Sequence, residues 1–243
     1  MLLAIDVGNT QIKWAVFEQN TLFESGIISN LEWEKALENT LKNFPKVTNM
    51  VVASVGKLEE EDFLRFSSAI KVEFITKESK FPFQNLYSSP NTLGIDRMVL
   101  AAGAVLQFPD KNRLVIDAGT CITYDFIDEK NNYFGGAISP GIRLRYESLH
   151  NYTAKLPLLT RENPEKLIGD TTHQSVHSGI INGVTMEIDG FINAILDKND
   201  NFIIILTGGD SDFLAKRLKN TIFANPNFLL ESLNQTFQYN HND

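Results

Sequence analysis

The residues best suited to chemistry stand at the start of the chain, in Asp6-Val7-Gly8-Asn9-Thr10-Gln11-Ile12-Lys13. The apolar run Leu2-Leu3-Ala4-Ile5 predicts a buried strand that stops at Asp6, turns through Gly8-Asn9-Thr10 and leaves as a second strand of alternating character. One tight turn thereby gathers a carboxylate, a flexible backbone and a hydroxyl. Glycine lets the chain come close to a ligand, the turn's N–H groups and the Thr10 hydroxyl suit anionic oxygens, and Lys13 adds positive charge. Gly8, Asn9, Thr10 and Lys13 therefore read as a phosphate site, and Asp6 as a ligand for hydrated Mg²⁺. The same residues also suit an ordinary hairpin in which Asp6 and Asn9 serve only the turn.

A second stretch separates the two readings. Leu114-Val115-Ile116-Asp117-Ala118-Gly119-Thr120 repeats the opening motif with one residue fewer. The similarity runs on into a third strand, where Ser25-Gly26-Ile27-Ile28-Ser29 matches Gly135-Gly136-Ala137-Ile138-Ser139. A whole strand-turn-strand-turn-strand unit is duplicated, which turn chemistry alone does not require. Later, a buried strand at Phe202–Leu206 empties into Thr207-Gly208-Gly209. Two Asp-x-Gly turns and a Thr-Gly-Gly turn suggest a nucleotide held between related lobes, with Gly208 and Gly209 leaving room for adenosine. Other phosphate motifs are missing from the sequence: no Gly-x-x-x-x-Gly-Lys-Ser/Thr loop, no Gly-x-Gly-x-x-Gly fingerprint and no His-Arg-Asp catalytic loop.

The elements that must position these residues follow from periodicity and breakers. Strands are expected at Thr21–Ile28, Val47–Val55, Val72–Thr76 and Phe202–Leu206, beside the two hairpins. Helices are expected at Leu31–Phe44, Glu59–Ile70, Gly94–Phe108, Pro140–Tyr152, His173–Lys198, Ser211–Lys219 and Asn227–Tyr239, with a frayed tail over Asn240–Asp243. Lys77–Thr92 reads as a long irregular loop around Tyr87, and such loops are more often functional than idle. The duplication places one lobe at residues 1–112 and the other at 113–243.

With 243 residues, 43% of them hydrophobic, the chain can bury a substantial core. A net charge of −8 without clustered Lys and Arg argues against nucleic-acid binding. The one cysteine, Cys121, excludes an intrachain disulfide, and no run suits a signal peptide or a membrane span. A cytoplasmic protein is expected.

The pattern resembles the superfamily that joins actin, the sugar and acetate kinases and the heat-shock chaperone ATPases. Within it the chain resembles type III pantothenate kinase through Asp6–Lys13, Gly94-Ile95-Asp96-Arg97, Asp117–Thr120 and Thr207-Gly208-Gly209, in that order. The resemblance implies an α/β, duplicated ribonuclease H-like (actin-like ATPase) fold of two lobes, each a central mixed sheet flanked by helices. It implies ATP-dependent phosphorylation of pantothenate to 4'-phosphopantothenate, the first step of coenzyme A synthesis, by a homodimer. On that resemblance Asp6–Lys13 and Thr120 contact ATP, and Asp117 holds an activating monovalent cation, K⁺ or NH₄⁺, beside Mg²⁺. Tyr87, Gly94, Ile95, Asp96, Arg97 and Thr172 contact pantothenate, with Asp96 as proton acceptor.

Elementary chemistry is compatible with those roles. An aspartate with a pKa of about 4 is a poor base toward an alkanol, but it can orient the hydroxyl and take its proton late in a loose transition state. Arg97 suits a carboxylate or phosphate oxygens. Other candidates read as structure: His173 and His177 at i,i+4 spacing as a solvated helix face, Cys121 as a small strand residue, and Arg143 and Arg145 as solvated charges. Two alternatives keep the fold: a kinase of another small hydroxylated metabolite, and a nucleotide-binding transcriptional accessory factor.

Overall fold

The computed structural model describes residues 1–29, 31–56, 58–196 and 201–241. The chain forms two compact units, one made of Met1–Pro109, Asn131–Phe134 and the segment from Asn227, the other of Asp110–Lys130 and Gly135–Pro226.

In the first unit, β1 (Leu2–Val7), β2 (Gln11–Glu18), β3 (Thr21–Ser29), β4 (Asn49–Ser54) and β5 (Lys71–Phe74) form a sheet in the order β3-β2-β1-β4-β5. β1 is buried along its whole length, as its continuous apolar run requires of a central strand. Leu3, Ile5 and Val7 point to one face, where they pack with Trp14, Met50, Phe63 and Leu37 of α1 (Trp33–Asn43). The alternation of side chains sends Leu2, Ala4 and Asp6 to the opposite face. There lie α3 (Ile95–Gln107) and α8 (Phe228–His241), which contact each other and the β1 and β4 strands.

The second unit repeats the plan. β7 (Asn112–Ala118), β8 (Cys121–Ile127), β9 (Asn132–Pro140), β10 (Phe202–Thr207) and β11 (Phe223–Ala224) run in the order β11-β10-β7-β8-β9. In each copy the first strand is central, antiparallel to the second and parallel to the fourth. Leu114, Ile116 and Ala118 pack against α4 (Ile142–Asn151), α5 (Thr172–His177) and α6 (Gly183–Leu196). Asp117, like Asp6, stands on the other face.

Several expected elements are altered. The Glu59–Ile70 helix is one α turn, α2 (Glu60–Phe63), followed by a 3-10 turn at Leu64–Phe66. The long helix from His173 is interrupted by a π turn at Ser178–Asn182, and the expected positions 197 and 198 lie outside the described residues. α7 (Ser211–Ala215) stops four residues before the expected end. Pro140 closes β9 rather than opening a helix, and Gly141 caps α4. The irregular loop contains β6 (Gln84–Asn85), paired in parallel with Asn132 and Tyr133 at the start of β9, which draws residues 131–134 into the first unit.

The compact units follow other bounds than the lobes read from the duplication at 112/113. The second unit begins at Asp110 and ends at Pro226, because α8 buries Phe228, Leu229, Leu230 and Leu233 in the first unit. The expected frayed tail is helical through His241, with 242 and 243 outside the described residues.

Candidate active site

In the first unit, Asp6 is the last residue but one of β1 and is itself 6% exposed. Its register partners are Lys13 on β2 and Ala53 on β4. The turn between β1 and β2 is closed by the Gly8 N–H, which donates to the Gln11 carbonyl at 3.1 Å. Asn9 and Thr10 are exposed at its tip. The end of β4 crosses beside it: the Val55 and Gly56 N–H groups both donate to the Val7 carbonyl at 3.0 Å.

That crossing leads to the Gly94–Arg97 segment. Gly94 caps α3, and a Cβ placed on it would lie 3.9 Å from Val55 Cγ1 but 2.4 Å from Asp96 Oδ1. Any side chain at this position would push the Asp96 carboxylate out of its place over the helix start. There Asp96 Oδ1 accepts from the Arg97 N–H at 2.8 Å, which meets a donor that every helix N-terminus leaves open. Arg97 is buried, and its guanidinium stands over the Tyr87 ring, 5.8 Å from the centroid. Tyr87 is held in turn by the Tyr133 ring at 6.3 Å and by its own N–H, which donates to Asn85 Oδ1 at 3.0 Å. The structure thus brings together Asp6, the Gly8–Thr10 turn, Gly94, Asp96, Arg97 and Tyr87 in one unit. Ile95 is buried in the first turn of α3.

In the second unit, Asp117 is the last residue but one of β7, between Thr123 on β8 and Thr207 on β10. Gly119 donates its N–H to the Cys121 carbonyl at 2.9 Å, and Gly141 donates to the Thr120 carbonyl at 3.0 Å, so the β9–α4 junction is docked on the β7–β8 turn. Gly208 adopts φ +93°, and a Cβ there would meet Asp117 Oδ1 at 2.4 Å and the Ala118 carbonyl at 2.5 Å. The Asp210 N–H donates to that Ala118 carbonyl at 3.0 Å. Thr120, Asp117, Gly208 and Gly209 therefore share one locus. Arg161, whose guanidinium lies over the Phe213 ring at 4.7 Å, pairs with Asp210; burial holds that carboxyl above its ordinary value, and Arg161 offsets only part of the rise.

Thr172 stands apart from this locus. It opens α5 behind Thr171, whose hydroxyl caps the helix by accepting from the Gln174 N–H at 3.2 Å. Thr172 lines an open cleft of about 480 Å³ with Gly169, Asp170, Ser175 and Leu156.

Two residues, His177 and Arg145, differ from their expected surroundings. His173 is exposed, but His177 is buried, with Nδ1 2.7 Å from the Tyr146 hydroxyl and Nε2 3.6 Å from Glu162. Arg145 is not a solvated charge. It donates to Glu187 Oε2 at 2.7 Å, while Glu187 Oε1 accepts from Ser139 at 2.6 Å and Tyr124 at 3.0 Å. Gly56 and Gly141, which shape the two turns, carried no motif that would have singled them out.

Two copies of one sheet plan, each closing its central strand on an Asp-x-Gly hairpin, define an α/β protein of the duplicated ribonuclease H-like, actin-like ATPase class. Solved structures share that fold: a Campylobacter jejuni protein assigned to the Baf family of transcriptional activators (20% identity, TM-score 0.63, 99% of this chain and 100% of that one) and a glucokinase from an Antarctic psychrotroph (12%, TM-score 0.53, 100% and 99%). The family model for type III pantothenate kinase matches residues 2–194, and the chain belongs to that family. The type III pantothenate kinase of Flavobacterium psychrophilum is 66% identical over 239 residues, covering 98% of this chain and 99% of that protein.

Proposed function

We propose that the chain transfers the γ-phosphoryl group of ATP to the hydroxyl of pantothenate, giving ADP and 4'-phosphopantothenate. The observation that carries this reading, beside family membership, is the Gly94–Arg97 helix start. A carboxylate, a buried guanidinium and the Tyr87 ring gather there, beside Val55, whose N–H donates to the Val7 carbonyl, and this supports the reading.

Phosphoryl transfer asks the protein mainly to position groups and offset developing charge. Asp96 orients the pantothenate hydroxyl and accepts its proton as the oxygen–phosphorus bond forms. Arg97, steadied on Tyr87, meets the pantothenate carboxylate, with Gly94 and Ile95 lining the same segment; Thr172 adds a substrate contact. The Gly8–Thr10 turn, Lys13 and Thr120 hold ATP phosphates, and Gly208-Gly209 accommodates adenosine. Asp6, a buried carboxylate at the end of a strand, fits a ligand of hydrated Mg²⁺, and Asp117 fits a ligand of K⁺ or NH₄⁺. When bound, these cations supply positive charge against the phosphate oxygens. A cytoplasmic homodimer acting on two small molecules completes the reading; among the described residues no helix is long and apolar enough to cross a membrane.

The test is ADP release from ATP with Mg²⁺ and K⁺ present. Pantothenate-dependent turnover is expected, and sugars or other small hydroxy acids should give none. Binding of ATP without any pantothenate-dependent turnover would favour a regulator of the same fold.

A further inference from the structure

The two copies differ at the register partners of their carboxylates. Asp6 lies opposite Lys13 and Ala53, whereas Asp117, at the equivalent place, lies opposite Thr123 and Thr207. Directly opposed residues on neighbouring strands point to the same face of the sheet, so both threonines flank the Asp117 side chain. Thr123 Oγ1 and Thr207 Oγ1 are buried, and neither has a hydrogen-bond partner among the described residues. Thr207 as a whole is 1% exposed. Buried hydroxyls are ordinarily satisfied, and valine would fill the same space without leaving a polar atom stranded. Two stranded oxygens on either side of one carboxylate mark a place built for a ligand.

The comparison between copies says what kind. The first copy sets a tethered ammonium, Lys13, across from its carboxylate. The second sets two neutral oxygen donors there and leaves the positive charge to be supplied from solution. One carboxylate with hydroxyl oxygens suits a hard monovalent cation. It is a thin donor set for Ca²⁺ or a transition metal, and no group of three His, Cys, Asp or Glu that could hold a metal occurs among the described residues.

We infer that Thr123 and Thr207 place their hydroxyl oxygens as ligands, beside Asp117, around a monovalent cation of the K⁺ class. The inference rests on the reading of Asp117 as a cation ligand and adds the residues that complete its shell.

The test uses the full chain with Mg²⁺ and a nonhydrolysable ATP analogue, in tetramethylammonium buffer at constant ionic strength. Thermal unfolding is followed as K⁺ is added, and thallium(I), a K⁺ surrogate, is titrated by ²⁰⁵Tl resonance. The wild-type melting temperature is expected to rise with K⁺. Thr123→Val and Thr207→Val should each raise the half-saturating K⁺ concentration roughly tenfold or more, yet melt no lower than wild type without K⁺. Thr207→Ser should restore the K⁺ response. Valine variants with an unchanged response, beside an Asp117→Asn variant that has lost it, would overturn the threonine assignment alone. A wild type indifferent to K⁺ and thallium(I), or an unaffected Asp117→Asn, would overturn the cation reading and this inference with it. A Thr207→Val variant that melts lower without K⁺ and is not rescued by serine would show a packing role instead.

Discussion

Gly208 sets its Cα against the Asp117 side chain so closely that a single added methyl would stand 2.4 Å from Oδ1. The β10–α7 turn and the end of β7 are therefore fitted to each other, and the left-handed φ of +93° at Gly208 is what brings the chain back over the strand end. Gly208→Ala should destabilise the protein by about 1–3 kcal/mol from backbone strain alone. At roughly 2–4 °C per kcal/mol for a chain of this size, calorimetry should show a clear drop in Tm. It should also weaken ATP binding, because displacing the turn moves Asp117.

Asp96→Asn keeps the fold of the α3 start, since an amide oxygen can still accept from the Arg97 N–H. It removes the proton acceptor. The expected loss is about 10²–10⁴-fold in kcat, with KM for ATP little changed, measured by coupled ADP release. Full activity in this variant would sink the assigned role.

The Tyr87 ring steadies a buried guanidinium, so its loss should be felt through Arg97. Tyr87→Ala forfeits a contact worth about 0.5–2 kcal/mol, which at 1.36 kcal/mol per tenfold corresponds to a rise in KM for pantothenate of roughly 2- to 30-fold. Tyr87→Phe retains the ring and should keep most of the affinity. An equal effect of both changes would show that the hydroxyl, not the ring, is what matters.

The Tyr124–Glu187–Arg145 network predicts how stability varies with pH. Burial first, then the neighbouring Glu187 charge, raises the Tyr124 phenol far above its usual range. Its contribution is present below about pH 10, the unfolded value, and is lost as pH rises further. Burial alone would raise Glu187, but hydrogen bonds from Ser139, Arg145 and Tyr124 and the Arg145 charge together hold it below the usual 4.5. Its contribution is present above the unfolded value and fades as pH falls through the lowered one. Tm against pH should show a plateau with both limbs. Tyr124→Phe should soften the alkaline limb and Glu187→Gln the acid one.

Much of this was written locally in the chain. The two hairpins were legible because fully buried strands must be continuously apolar, and each breaks at Asp-x-Gly. The Tyr87 loop and the α3 start were legible for similar reasons of pattern. The two-residue strands β6 and β11 were not, since pairing so short is imposed by the neighbouring strand. Nor was the break at Ser178–Asn182, where the apolar spacing runs on through a π turn. Thr123 and Thr207 carry no such signal, because a β-branched residue in a strand ordinarily marks only the strand. The spacing of His177 reads as a helix surface, and its burial comes from Tyr146 on another helix.

The position of α8 bears on how the molecule comes to be made. The unit that opens with β1 is finished by a helix encoded more than a hundred residues later, after the second unit has been synthesised in full. A ribosome therefore releases both segments of the second unit, residues 110–130 and 135–226, before the first unit is complete, while the Asp6 strand must wait with one flank of its sheet uncovered. Nascent chains stalled before Asn227 should expose the apolar surfaces of α3 and β1 that α8 later covers, and this interval is when the protein most needs a chaperone.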